Sequence, residues 1–204
     1  MTTAKVPPHQ LTIQPASAER WDDLEALFGP KGACGGCWCM YWRQPHAQHH
    51  QQSAEERRAA LQALAGTELP PGLLAYDGEG PVGWCAVGPR ADFAALARSR
   101  ILRPIDDQPV WSIVCFFVAK RARRQGVSLA LIHGAVAFAQ AHGGQIVEAY
   151  PNDLESPRFA GRRLTGAAGF EGNAATFRAA GFHEVKRASA AQLIMRYTID
   201  SAAA

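Results

Sequence analysis

Apolar and polar residues alternate through Leu11 and Ile13 of LTIQPAS, which predicts a half-buried strand. The period then lengthens: Trp21, Leu24, Leu27 and Phe28 share one face of SAERWDDLEALFG, a helix stopped by Gly29-Pro30. After an irregular stretch, SAEERRAALQALAG predicts a second helix, with Ser53 and Glu56 as a capping box and Gly66 at its end. GLLAYDGEGPVGWCAVGPR reads as a hairpin around DGEGP, followed by a short helix and loop in ADFAALARSRILRPIDDQP. VWSIVCFFVA is nearly continuous in apolar, β-favouring residues, as a strand buried on both faces at the centre of a sheet would be. GVSLALIHGAVAFAQAHGG is apolar almost all round and ends in two glycines, which predicts a helix buried on that sheet. QIVEAYP returns as a strand, a Gly-rich connection leads to the short helix NAATFRAAG, and FHEVKRAS and QLIMRYTI close as strands.

The 204 residues, 48% hydrophobic, suit one well-buried domain over 11–199, with a flexible N-terminus at 1–10 and a flexible tail at 200–204. Twenty-one basic against 18 acidic side chains give a net charge of +3, too balanced for a protein whose main partner is a polyanion, so no nucleic-acid partner is expected. No run approaches the roughly 18 consecutive apolar residues of a membrane span, and MTTAKVPPHQ lacks the apolar stretch of a secretory signal. A cytoplasmic location, no membrane partner and reduced thiols at the five cysteines are the expectations. The Arg-rich, Lys-poor, Ala-rich composition points to a GC-rich bacterial genome.

The charge that matters is local. Lys120, Arg121, Arg123 and Arg124 stand between the central strand and a helix that begins after Gly126. A strand that turns through glycine into a helix leaves backbone N–H groups free at the positive end of the helix dipole, a seat for phosphate. Gly126 lets backbone approach a ligand, and Ser128 is small enough to keep the surface open. A solvated charged turn is the bland reading. The Gly-Lys-Ser/Thr ending of a Walker loop and the three glycines of a dinucleotide fingerprint are both missing.

Arg123-Arg124-Gln125-Gly126-Val127-Ser128 resembles the Arg/Gln-x-x-Gly-x-Gly/Ala signature of the GNAT superfamily of acyl-CoA-dependent N-acetyltransferases, and TFRAAGF resembles that family's final helix entering its next strand. The resemblance runs from Leu11 to Ile199. It implies an α/β (α+β) fold with a mixed, twisted central sheet flanked by helices, and acetyl-CoA as acyl donor with no metal. Backbone of Gln125 to Ser128, with Arg123 and Arg124 at the rim, would hold the pyrophosphate, and Phe116, Phe117 and Val118 would pair with the pantetheine arm. The reaction implied is acetyl transfer to the amine of a small-molecule or peptide acceptor by direct transfer, and a homodimer is common in the family. Phe177 occupies the position where the family often carries an acidic tyrosine, so the usual proton donor is absent, and Phe177 is either a wall of the pantetheine site or a core aromatic.

On QIVEAYP, Ile146, Glu148 and Tyr150 share a face, so Glu148 as base and Tyr150 as acid are candidates; a salt bridge from Glu148 and a Tyr150 that caps the sheet are the alternatives. Cys115 reads as a core filler and His183 as a lesser proton carrier. GACGGCWCMYWR holds Cys34, Cys37 and Cys39, with His46, His49 and His50 nearby, but no second cysteine pair completes a zinc set. Trp38, Tyr41 and Trp42 are expected to wall the acceptor site. A non-catalytic acyl-CoA-binding module and a zinc-stabilised interaction protein are the competing functions.

Overall fold

A computed structural model describes residues 11–159 and 169–200. The N-terminus expected to be flexible, residues 1–10, lies outside the described residues, as do the expected tail apart from Asp200 and residues 160–168 of the Gly-rich connection. The chain runs β1 (Thr12–Pro15), α1 (Trp21–Phe28), α2 (His46–Gln51), α3 (Ala54–Ala65), β2 (Gly72–Asp77), β3 (Gly80–Pro89), α4 (Ala94–Arg98) and β4 (Trp111–Val118). It continues through α5 (Val127–Ala141), β5 (Ile146–Ala149), α6 (Ala174–Ala179), β6 (His183–Arg187) and β7 (Leu193–Thr198). The short helix α2, inside the stretch read as irregular, is the one α-helix among the described residues that the pattern does not predict. Its HAQHHQ sequence has no apolar stripe, and none of its residues is buried.

The strands form one seven-stranded mixed sheet, ordered β1-β2-β3-β4-β5-β7-β6, with β4 at its middle as its apolar sequence predicts. Only β4 and β5 run parallel, because α5 makes the crossover between them. Helices cover both faces of the sheet. One core packs α5 and α6 against Leu73, Cys85, Ile113 and Met195, and the other packs α1, α3 and the Cys-Trp segment against Leu74, Trp84, Val114 and Ile194. At Gly83 a Cβ would lie 2.6 Å from Val127 Cγ1, so glycine lets the first turn of α5 rest directly on β3.

Two irregularities in β4 position the site. Cys115 pairs with Ala86 but Ile113 pairs with Val87, so Val114 is an extra residue, a β-bulge. The bulge shifts the alternation by one: Val114 and Cys115 both face the α1 side, Phe116 then returns to the α5 side, and Phe117 faces α1. The ladder to β5 runs only from Trp111–Val147 to Ile113–Ala149. Beyond it the strands part, and the Phe116 N–H, turned into the gap, donates to Phe170 O at 2.6 Å.

Candidate functional site

The basic loop enters α5 by an unusual path. Arg124 and Gly126 both adopt left-handed backbone, at φ 64° and 82°, so the chain curls tightly as it enters the helix. Among the described residues, the amides of Gln125, Gly126, Val127 and Ser128 have no acceptor, and no side chain caps the 15-residue α5. A Cβ at Gly126 would meet nothing within 4 Å, so the approach is open to solvent.

Two adjoining cavities lie against this loop. One, about 530 Å³, is bounded by Arg123, Arg124, Gly126, Val127 and Ser128 on one side and α6 on the other. The second, about 420 Å³, follows β4 along Phe116, Phe117 and Val118 and is closed by Phe177 and Phe170. They share Val118, Arg123, Ser128, Asn173 and Thr176, and together make one groove from the loop to the gap between β4 and β5. Every residue assigned by the sequence to the coenzyme lines this groove except Gln125, whose side-chain amide donates to Arg121 O at 2.8 Å. Phe177 is fully buried, with its ring edge-on to Phe116 at 5.9 Å, so it is at once core aromatic and groove wall. Arg121 is diverted from the rim, bonded to Asp77 with Nη2 3.2 Å from Oδ1.

The groove also contains residues that the sequence reading missed. Asn173 caps α6 by accepting from the Thr176 amide at 2.9 Å, and both side chains border the two cavities. The cap was legible as an asparagine just before AATFRA. Glu171, beside the groove residues Phe170 and Gly172, has Oε2 held by Asn152 Nδ2 at 2.9 Å and Gln192 Nε2 at 3.2 Å. Burial pushes its carboxyl above the usual carboxylate range, against the opposing pull of those two amides. No sequence pattern marks it, since its partners lie 19 and 21 residues away.

Glu148 and Tyr150 do share a face, and the Tyr150 hydroxyl donates to Glu148 Oε1 at 2.7 Å. Glu148 is not an open base, however. It is wholly buried, with Oε1 also 3.0 Å from Arg90 Nη1 and Oε2 2.8 Å from Arg196 Nε, so both oxygens are occupied. Arg196 continues to Asp106, and Arg90 to Leu102 O. Burial, and then the charge of Glu148, raise the Tyr150 phenol far above its ordinary value, so it stays neutral. Neither residue borders the groove.

The expected acceptor wall is dispersed. Trp38 is buried, stacked on Trp21 at 6.1 Å and tilted against Phe28 at 5.7 Å. Tyr41 and Trp42 border a separate hollow of about 380 Å³ beside Arg98. None of the three lines the groove along β4 and α5. His183 is exposed on the edge strand β6. Among the described residues, no three His, Cys, Asp or Glu side chains are arranged to hold a metal ion, and no helix is long and apolar enough to cross a membrane.

The sequence profile of the acetyltransferase (GNAT) family matches residues 36–165. Among solved structures, a GCN5-related N-acetyltransferase from Kribbella flavida superposes with a TM-score of 0.52 at 15% identity, over 94% of this chain and 99% of that one. The histone acetyltransferase HPA2 and related acetyltransferase of Corynebacterium glutamicum gives 0.51 at 20% identity, over 96% and 99%. The yncA protein of Salmonella typhimurium, solved with acetyl-CoA, gives 0.50 at 15% identity, over 96% and 97%. At these identities the likeness is one of fold. No curated protein matches the chain in sequence.

Proposed function

Since the chain belongs to the acetyltransferase (GNAT) family, matched over residues 36–165, we propose that it transfers an acetyl group from acetyl-CoA directly to the amine of a small-molecule or peptide acceptor. The observation that carries this reading is the set of amides from Gln125 to Ser128 at the head of α5, without an acceptor among the described residues, opening into a groove that ends where β4 and β5 part. The pyrophosphate of acetyl-CoA fits that seat: donors and helix dipole converge there, and Arg123 and Arg124 add positive charge. The pantetheine arm follows Val118 to Phe116 against Phe177, and one of its carbonyl groups replaces Phe170 O as acceptor for the Phe116 amide.

Transfer needs a neutral amine and a route for its proton. Glu171, held among the described residues through Oε2 and made more basic by burial, is the carboxylate we assign to take that proton. Glu148 and Tyr150 act as a positioning pair that, with Arg90 and Arg196, locks the base of the β4–β5 gap. Coenzyme A leaves as thiolate, a tolerable leaving group unassisted, which suits a site with phenylalanine at position 177.

Isothermal titration with acetyl-CoA and with coenzyme A tests the reading: saturable binding below millimolar concentration is expected, and its absence from folded protein overturns it. Thiol release against a panel of amines then separates an enzyme from a non-catalytic acyl-CoA module, which would bind without turnover.

A further inference from the structure

Backbone groups of β4 that face the gap toward β5 are occupied by the protein itself. Alternate residues of a strand turn their N–H and C=O to the same edge, so Phe116 and Val118 both present theirs to the gap, while Ala119 turns the other way and donates to Val82 O of β3 at 2.9 Å. Phe170 O takes the Phe116 N–H at 2.6 Å, and Arg123 Nε donates to Val118 O at 3.1 Å. A carbonyl and an N–H offered to one strand edge are what an added strand, or any extended chain bearing amides, would offer.

Residues 170–174 lie in the gap as a short piece of such a strand. Asn152, in the continuation of β5, donates its N–H to Gly172 O at 3.1 Å and accepts from the Ala174 N–H at 2.9 Å, a parallel bridge centred on Asn173. Gly172 adopts left-handed backbone at φ 78°, and a Cβ there would lie 3.1 Å from Phe177 Cε2 and 3.5 Å from Phe116 Cε2, so the backbone rests against both rings. Those rings and the edge of β4 are the surfaces proposed for the pantetheine arm. The segment is held unequally. Toward β5 it has two main-chain bonds and the two side-chain amides on Glu171 Oε2, whereas toward β4 it has, among the described residues, the bond at Phe170 O.

On the reading that this groove takes acetyl-CoA, we propose that Phe170 and Arg123 are an autoinhibitory pair that stands in for the pantetheine amides and is displaced by them. Phe170 swings off β4 about Glu171 and Gly172 while the bonds to Asn152 hold, and a pantetheine carbonyl takes the Phe116 N–H. A pantetheine N–H takes Val118 O, and Arg123, freed from it, turns its guanidinium to the pyrophosphate at the loop it borders. Entry of the arm is thereby coupled to the grip on the phosphates. The nucleotide half alone reaches the amides of residues 125–128 without moving Phe170, and only the whole coenzyme opens the gap. Molecules with Phe170 on β4 do not admit the arm, so the apparent affinity for coenzyme A falls in proportion to the fraction that is open.

Stopped-flow mixing of the full-length protein with the fluorescent ethenoadenine forms of coenzyme A and of ADP, which has the pyrophosphate and no pantetheine, tests this. The observed rate for ADP should rise linearly with concentration, and that for coenzyme A should level off at the rate at which Phe170 leaves β4. Phe170→Ala, which strips the ring from the swinging residue, should raise the plateau and tighten coenzyme A several-fold with ADP affinity unchanged. A coenzyme A rate that stays linear to the mixing limit, a plateau shared by ADP, or a folded Phe170→Ala variant with equal or weaker affinity for coenzyme A overturns the proposal and leaves coenzyme binding at the groove standing. Binding of neither ligand by the folded parent overturns the reading beneath it, and the proposal with it.

Discussion

Two residues at the loop and its rim make opposite demands on their surroundings. Gly126 needs a left-handed backbone and an empty space above it, and has both, at φ 82° with nothing within 4 Å of a Cβ. Gly126→Ala therefore meets only the conformational cost of that region, about 1–2 kcal/mol, and should keep the fold and most of the coenzyme affinity. Gly126→Glu adds a negative charge to the phosphate seat, and titration should detect no acetyl-CoA binding while circular dichroism stays as in the parent. Undiminished affinity in that variant would place the pyrophosphate elsewhere. Glu171 depends instead on burial. Its carboxyl is held above the ordinary value, so the basic form appears only as pH rises past that raised value, and kcat/KM should show an acid limb above the normal carboxylate range. Glu171→Gln should remove the limb and lower kcat by roughly 10²–10⁴ with the acetyl-CoA dissociation constant unchanged; an unaltered profile rules it out as the base.

Helices and strands were legible wherever a segment's periodicity agreed with its burial. The capping box of α3 forms as its sequence predicts, Ser53 Oγ accepting from Glu56 N at 3.2 Å and Glu56 Oε2 accepting from Ser53 N at 2.7 Å. Ser53→Ala should cost about 1 kcal/mol in urea unfolding and leave acetyl-CoA binding alone, since α3 does not border the groove. β4 was legible as the sheet's centre, yet its bulge was not. The extra residue is a property of pairing with β3, and VWSIVCFFVA is apolar on both faces, so nothing in its pattern marks where the alternation slips. That slip decides that Phe116 faces the groove and Cys115 the α1 side of the sheet.

At the scale of the whole molecule, a chain of charge that is exposed at Asp106 and buried at Arg196 and Glu148 continues to Arg90 and joins the loop before β4 to β7, β5 and the end of β3. Glu148→Gln takes the carboxylate from Arg90 and leaves Arg196 with Asp106, and should destabilise the fold by about 3–5 kcal/mol in chemical unfolding, whereas Tyr150→Phe, which removes hydrogen bonds but no charge, should cost less. The hydrogen bond from Arg196 holds the Asp106 carboxyl below its ordinary value, so its contribution is present above the unfolded-state value of about 3.9 and is lost as pH falls through the lowered one. Melting temperatures measured from pH 7 down to pH 2.5 should fall less steeply at the acid end for Asp106→Asn than for the parent; equal slopes would show that the pair contributes nothing in solution. By itself the sequence determined the run of elements from β1 to β7, the short α2 apart, and the glycine turn into α5, because each depends on local spacing, glycine and the transition from strand to helix within a few residues. Only the tertiary structure decided which polar groups meet. Glu148 is enclosed by arginines 58 positions before it and 48 after it, and Trp38 is withdrawn into the core against Trp21 and Phe28. Contacts of that range form when the sheet closes and its faces are covered, and no local pattern encodes them.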